Sequence, residues 1–153
     1  MKSKQTGFTL IELLVVIAII GLLSTLAVVA LNNARLKSRD AKRVADVKQI
    51  QTALELYFNE CNGYPTQAEG SLATDATLND GATTCAEEFG TYMNQIPTNP
   101  TPRDEGACSA FNTDYLYASA NAGTYTIKYC LAGNTGNISA GEHVATPSGM
   151  TDD

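Results

Sequence analysis

From Leu13 to Leu31 the chain runs nineteen residues without a charged side chain. As a helix rising about 1.5 Å per residue, that stretch is roughly 28 Å long, close to the ~30 Å hydrocarbon core of a bilayer. Leu, Val, Ile and Ala dominate it, and a helix satisfies its backbone polar groups internally, as lipid requires. A secretory signal peptide has a shorter apolar stretch ending in small residues for cleavage, so this segment reads as a membrane-spanning helix that is kept. The mean hydropathy of −0.10 hides it, because the remainder is polar and rich in Gly, Thr, Asn and Asp.

Charge is as unevenly placed as hydropathy. The net charge is −6, yet residues 35–48 carry six basic side chains (Arg35, Lys37, Arg39, Lys42, Arg43, Lys48) against Asp40 and Asp46. From Gln49 onward Arg103 and Lys128 stand against thirteen acids. A basic collar thus lies between an apolar rod and an acidic head. It suits contacts between neighbouring copies as well as it suits a solvated face. So acidic a head argues against specific nucleic-acid binding, which depends on neutralising phosphates.

Glu12 stands at the front of the apolar run, within Phe8-Thr9-Leu10-Ile11-Glu12-Leu13. An acidic side chain costs about 2.5–3.5 kcal/mol at mid-bilayer on insertion scales, and less toward the interface. It either sits at headgroup depth or finds a partner. Gly7-Phe8-Thr9-Leu10-Ile11-Glu12-Leu13, behind a short leader with Lys2 and Lys4 and ahead of the apolar run through Gly21, resembles the class III signal sequence of type IV prepilins and type II secretion pseudopilins. The resemblance implies that a prepilin peptidase removes residues 1–7 after Gly7 and methylates the new N-terminus, Phe8. It implies that Glu12 of one subunit meets the Phe8 ammonium of the next. A subunit out of register then leaves a buried charge unpaired, at about 3–5 kcal/mol.

Beyond the span, residues 33–58 lack Gly and Pro, and Val44, Val47, Ile50, Leu54, Tyr57 and Phe58 make one apolar stripe. Asp46 lies within reach of Lys42 and Arg43 as surface support. The helix is expected to end at Asn59-Glu60-Cys61-Asn62-Gly63-Tyr64-Pro65. Arg39-Asp40-Ala41-Lys42-Arg43 through Tyr57, then Gly63-Tyr64-Pro65, is similar to the stalk of the major pseudopilins, and Ile96-Pro97-Thr98-Asn99-Pro100 to the turn before their terminal sheet. Val29 stands where many of these proteins have a Pro that lets the helix unwind. Six basic residues follow the span and two precede it; by the positive-inside count alone the head would be cytoplasmic. The resemblance implies the reverse, an extracytoplasmic head.

Cys61, Cys85, Cys108 and Cys130 contain no CxxC, and His143 is the one histidine, so zinc is not indicated. Four cysteines outside the span favour disulfides in one of three connectivities. The sequential pairs Cys61–Cys85 and Cys108–Cys130 are expected, with buried free thiols as the alternative. Asp114 to Ala118 and Thr124 to Leu131 form a hairpin through residues 119–123, with Tyr125, Ile127, Tyr129 and Leu131 on one face, set to cover the helix stripe. Residues 64–90 read as loop, and residues from Gly133 onward as a flexible tail, 133–153. Asn137-Ile138-Ser139 fits a glycosylation triplet that arises easily by chance.

No phosphate loop, nucleophile elbow or paired-His motif is present, so no enzyme is expected and no cofactor is required. Asp104, Glu105 and Asp114 flank the hairpin and are calcium candidates by resemblance, against a plain solvated acidic loop. The expected fold is α+β and pilin-like: leader 1–7, transmembrane and filament-core helix 8–31, amphipathic stalk 32–60, head 61–132 and tail. The expected role is a subunit of a type IV pilus-like or type II secretion filament. It is held in the cytoplasmic membrane and its lipid before assembly, then enters a cell-surface or periplasm-spanning filament. Its partners would be copies of itself, the prepilin peptidase, the inner-membrane assembly platform and minor pilins. The alternative is a single-pass anchored binding domain that stays monomeric.

Overall fold

A computed structural model describes residues 7–72, 78, 85 and 88–152. The chain divides into two compact units, residues 1–35 and 36–153. Helix α1 spans Leu10–Cys61, 52 residues, and runs without a break through Gly21, Val29, Asn32 and Asn33. The weak helix formers in its apolar part are satisfied locally: the Ser24 hydroxyl donates to the Ile20 carbonyl at 2.7 Å, and that of Thr25 to Leu22 at 2.8 Å. At its other end Asn62 takes the left-handed conformation (φ 53°) and its N–H donates to the Phe58 carbonyl at 2.8 Å. Asn tolerates that conformation better than other side chains, which is why the helix stops here.

In the second unit, five strands among the described residues form one antiparallel sheet in chain order: β1 (Gln67–Ser71), β2 (Leu116–Asn121), β3 (Thr124–Leu131), β4 (Gly141–Thr146) and β5 (Gly149–Asp152). The buried stripe of α1, with Val47, Ile50, Ala53, Leu54 and Tyr57, shares one core with Tyr117, Tyr125, Ile127, Tyr129, Leu131 and Ala145 from the sheet. The alternation expected of β3 therefore places its apolar face as anticipated. Tyrosines fill much of this core, and their hydroxyls reach polar partners where they can: that of Tyr117 donates to the Pro65 carbonyl at 2.7 Å.

Three expectations are corrected. The stretch taken for a flexible tail contributes β4 and β5, with Ala145 and His143 buried. Its small and polar residues carry little hydrophobic signal, and the strands are held chiefly by backbone pairing, β4 to β3 and β5 to β4. The loop after Pro65 contains β1, paired to β2. The hairpin connection is shorter than residues 119–123, because β2 continues to Asn121 and only Ala122 and Gly123 separate it from β3.

Both disulfides lie in the second unit. Cys61 is bonded to Cys85, tying the helix end to the 72–88 connection, and Cys108 to Cys130, tying a short 3-10 turn (Gly106–Cys108) to β3. No cysteine is free.

Candidate assembly site

From Leu10 onward the described residues of the first unit form a helix whose side chains are all exposed. Every residue from Gly7 to Arg35 is exposed, including Phe8, Leu10, Ile11 and thirteen further large apolar residues of the nineteen-residue run. Among the described residues, α1 is the one helix long and apolar enough to cross a membrane, with an 18-residue window of mean hydropathy 2.9. At its front, Thr9 and Glu12 bind each other reciprocally. The Glu12 carboxylate accepts from the Thr9 N–H at 2.8 Å and from its hydroxyl at 2.6 Å, while the Glu12 N–H donates to the Thr9 hydroxyl oxygen at 3.3 Å. This is a capping box, T-x-x-E, which satisfies backbone donors that a helix start leaves over. The spacing is plain in the sequence and gives Glu12 a local role beside its charge. Both hydrogen bonds that the carboxylate accepts go to Oε2, and Oε1 accepts none among the described residues.

In the second unit the charges do something the collar description missed. Arg43 and Asp40 are both 0% exposed. The Arg43 guanidinium donates to Asp40 at 2.7 Å, to the Asn99 side-chain oxygen at 2.9 Å and to the carbonyls of Pro102 at 2.9 Å and Pro100 at 3.2 Å. Asp40 in turn accepts from the N–H groups of Ala132 at 3.0 Å and Gly133 at 2.9 Å, where β3 ends. Asp46, expected at the surface, is buried and accepts from the Tyr115 hydroxyl at 2.9 Å. Burial raises its carboxyl above the ordinary value, against the opposing pull of that hydroxyl and of Lys42. Charged residues rarely sit inside unless paired. Here they fasten α1 to the proline-rich turn and to the end of β3.

Two of the three calcium candidates, Glu105 and Asp114, are drawn into the same fastening. Glu105 receives both Arg39, through a two-pronged pair that holds the Arg39 guanidinium in its charged form, and Arg43 at 3.3 Å. Asp114 receives Arg103 at 2.8 Å and the Asn99 N–H at 3.0 Å, while Asp104 is exposed. Among the described residues no three acids, histidines or cysteines gather as a metal site needs. Gly106 sets this loop at close quarters: it lies at φ +58°, and a Cβ there would stand 2.2 Å from the Ala132 carbonyl oxygen. Only glycine fits both conditions.

Residues 2–28 match the model of the prokaryotic N-terminal methylation motif. The type II secretion system core protein G of Aeromonas hydrophila is 36% identical over 104 residues, covering 65% of this chain and 69% of its own. That of Escherichia coli K12 is 37% identical over 104 residues, covering 67% and 70%. A fimbrial protein of Dichelobacter nodosus is 38% identical over 94 residues, covering 60% and 58%. No solved structure matches significantly. Relatives aligned at this identity along more than two thirds of their length, with a methylation motif where α1 begins, show that this chain belongs to the type II secretion system core protein G family.

Proposed function

We propose that the chain is the repeating subunit of a type II secretion pseudopilus, cut by prepilin peptidase after Gly7, methylated on Phe8 and polymerised through the apolar part of α1. The observation that carries this reading is the capped carboxylate of Glu12 at the head of a wholly exposed apolar helix, inside the stretch matched as a methylation motif. Before assembly lipid covers that helix, with the head on the extracytoplasmic side; in the filament its neighbours do.

Glu12 has the means to serve in both settings. In a single subunit Thr9 satisfies one carboxylate oxygen. In the filament the other is open to the Phe8 ammonium of the adjoining copy, and each charge offsets the other's desolvation. A buried pair of this kind adds little over an apolar substitute, while a broken one costs about 3–5 kcal/mol, so its product is register. Assembly then draws on the inner-membrane platform and minor pilins, and the subunit itself performs no reaction.

The fimbrial relative supports a second reading, a surface pilus, over a smaller share of the chain. The first test is the N-terminal peptide of membrane-extracted protein, read by mass spectrometry with and without prepilin peptidase. Methylated Phe8 at the terminus, dependent on the peptidase, is expected. An intact Met1 in cells that have the enzyme would leave a monomeric anchored domain. Filaments that extend past the outer surface at native expression would favour the pilus.

A further inference from the structure

The basic residues of the second unit fall into two groups. Arg39, Arg43, Arg103 and Lys128 each hold a carboxylate of their own chain. Lys37, Lys42 and Lys48, all on α1, are exposed and form no ion pair among the described residues. On the acidic side Glu60, Glu88, Asp104 and Glu142 are likewise exposed and outside every ion pair among the described residues. Among the described residues the second unit thus keeps its unmatched cations within residues 37–48 of α1, while its unmatched anions stand on other parts of it, from Glu55 and Glu60 near the end of α1 to Glu142 on β4.

We propose that Lys37 and Lys48 form the basic side of a contact with the acidic head surface of a second copy of this chain. The inference rests on the filament reading and deepens it by naming the surfaces that meet. Charge complementarity of this kind steers encounter and suppresses wrong registers more than it adds affinity. Because the two patches are different parts of one molecule, their contact is heterologous. A heterologous contact whose rotation does not close propagates as an open helical filament. It also answers a physical need. A subunit with two basic residues against thirteen acids from Gln49 onward repels its own kind unless the excess finds cations on a neighbour. Lys37 and Lys48 lie eleven residues apart, close to three helical turns, and so share one face of α1. Lys42 lies on another, beside the buried Asp46, so reversal of Lys37 and Lys48 together is the cleaner probe.

The test uses full-length protein in cells that process it, with sheared filaments as the readout. Wild-type filaments are expected, and their absence would sink the filament reading itself rather than this contact. The double variant Lys37→Glu/Lys48→Glu is expected to lower filament yield about tenfold, with the level of processed subunit in the membrane and the melting of the head unchanged. Adding one of Glu60→Lys, Glu88→Lys, Asp104→Lys or Glu142→Lys is expected to restore yield, because every interface then carries the swapped pair. Wild-type filaments should also loosen between about 0.15 M and 1 M salt, as the screening length falls from about 8 to 3 Å. Wild-type yield from the double variant overturns the proposal. So does rescue by none of the four reversals. If the double variant instead loses binding to vesicles rich in anionic phospholipid while filament yield stays normal, the lysines serve a lipid surface and the contact between copies is wrong.

Discussion

Glu12 and Asp40 are both carboxylates on α1, and their surroundings could hardly differ more. Among the described residues Glu12 has a single partner residue, three positions away, on an exposed helix face. Asp40 is fully enclosed and accepts from Arg43, Ala132 and Gly133 together. The first keeps bonding capacity in reserve; the second has spent its capacity on the fold. That difference separates a group available to another molecule from one that holds its own chain together. Sequence alone does not show it, since Asp40 stands there among basic neighbours of a surface collar while Glu12 stands at the front of an apolar run.

The sharpest way to break the comparison is to delete each carboxylate. Glu12→Ala is expected to insert and be cleaved normally yet to yield no filaments, with the head melting at the wild-type temperature. Asp40→Ala should do the opposite first. It leaves Arg43 buried without its counter-charge and frees two backbone donors, so the head is expected to lose about 3–5 kcal/mol in denaturant or thermal unfolding. If Glu12→Ala melts early, or Asp40→Ala leaves head stability intact, the division of labour between the two is false.

Next in size is the second disulfide. Cys108–Cys130 closes a loop of separation 22 and anchors the 3-10 turn beside Glu105. By loop entropy, Cys108→Ser with Cys130→Ser should cost about 3 kcal/mol. Reduction of the wild type opens Cys61–Cys85 as well and should cost more, and both losses should be seen in the melting of the head alone. A change well under 1 kcal/mol would mean that Arg39, Arg43 and Asp40 hold this corner without it.

How much of this was legible beforehand follows the physics of each signal. The motif at 7–13 and the apolar run were plain because membrane insertion demands long uncharged stretches. The stalk stripe and the inward face of β3 were plain because burial imposes periods of 3.6 and 2. β4 and β5 were not, because His143 and Ala145 are too small or too polar to mark a face, and their hold is backbone pairing to β3 and to each other. Arg43 looked like one more collar charge because burying it depends on Asn99, Pro100 and Pro102, more than fifty residues on. A period along one helix cannot report such distant partners. The capping box at Thr9 and Glu12 is written in the spacing T-x-x-E, because both of its partners lie within one helical turn.

Asp46 lies between the two extremes and offers the smallest and most specific effect. It is buried, yet one hydroxyl, that of Tyr115, is its hydrogen-bond partner, and burial raises its carboxyl above the ordinary 3.8. A carboxyl whose folded-state value is raised binds its proton more readily when folded, so its contribution is complete below 3.8. That contribution is lost as pH rises through the raised value. Asp46→Asn stays neutral and should abolish this fall, so that the stability difference between variant and wild type grows in the variant's favour as pH climbs from about 3 toward 6. Tyr115→Phe removes the donor that favours the charged form. It should carry the titration higher and cost about 1.5–3 kcal/mol at neutral pH. Melting curves of the three proteins across that range decide the matter. Parallel profiles for wild type and Asp46→Asn would mean that water reaches this carboxylate in the folded head, and Asp46 would then belong with Glu12 as a group kept open rather than with Asp40 as one enclosed.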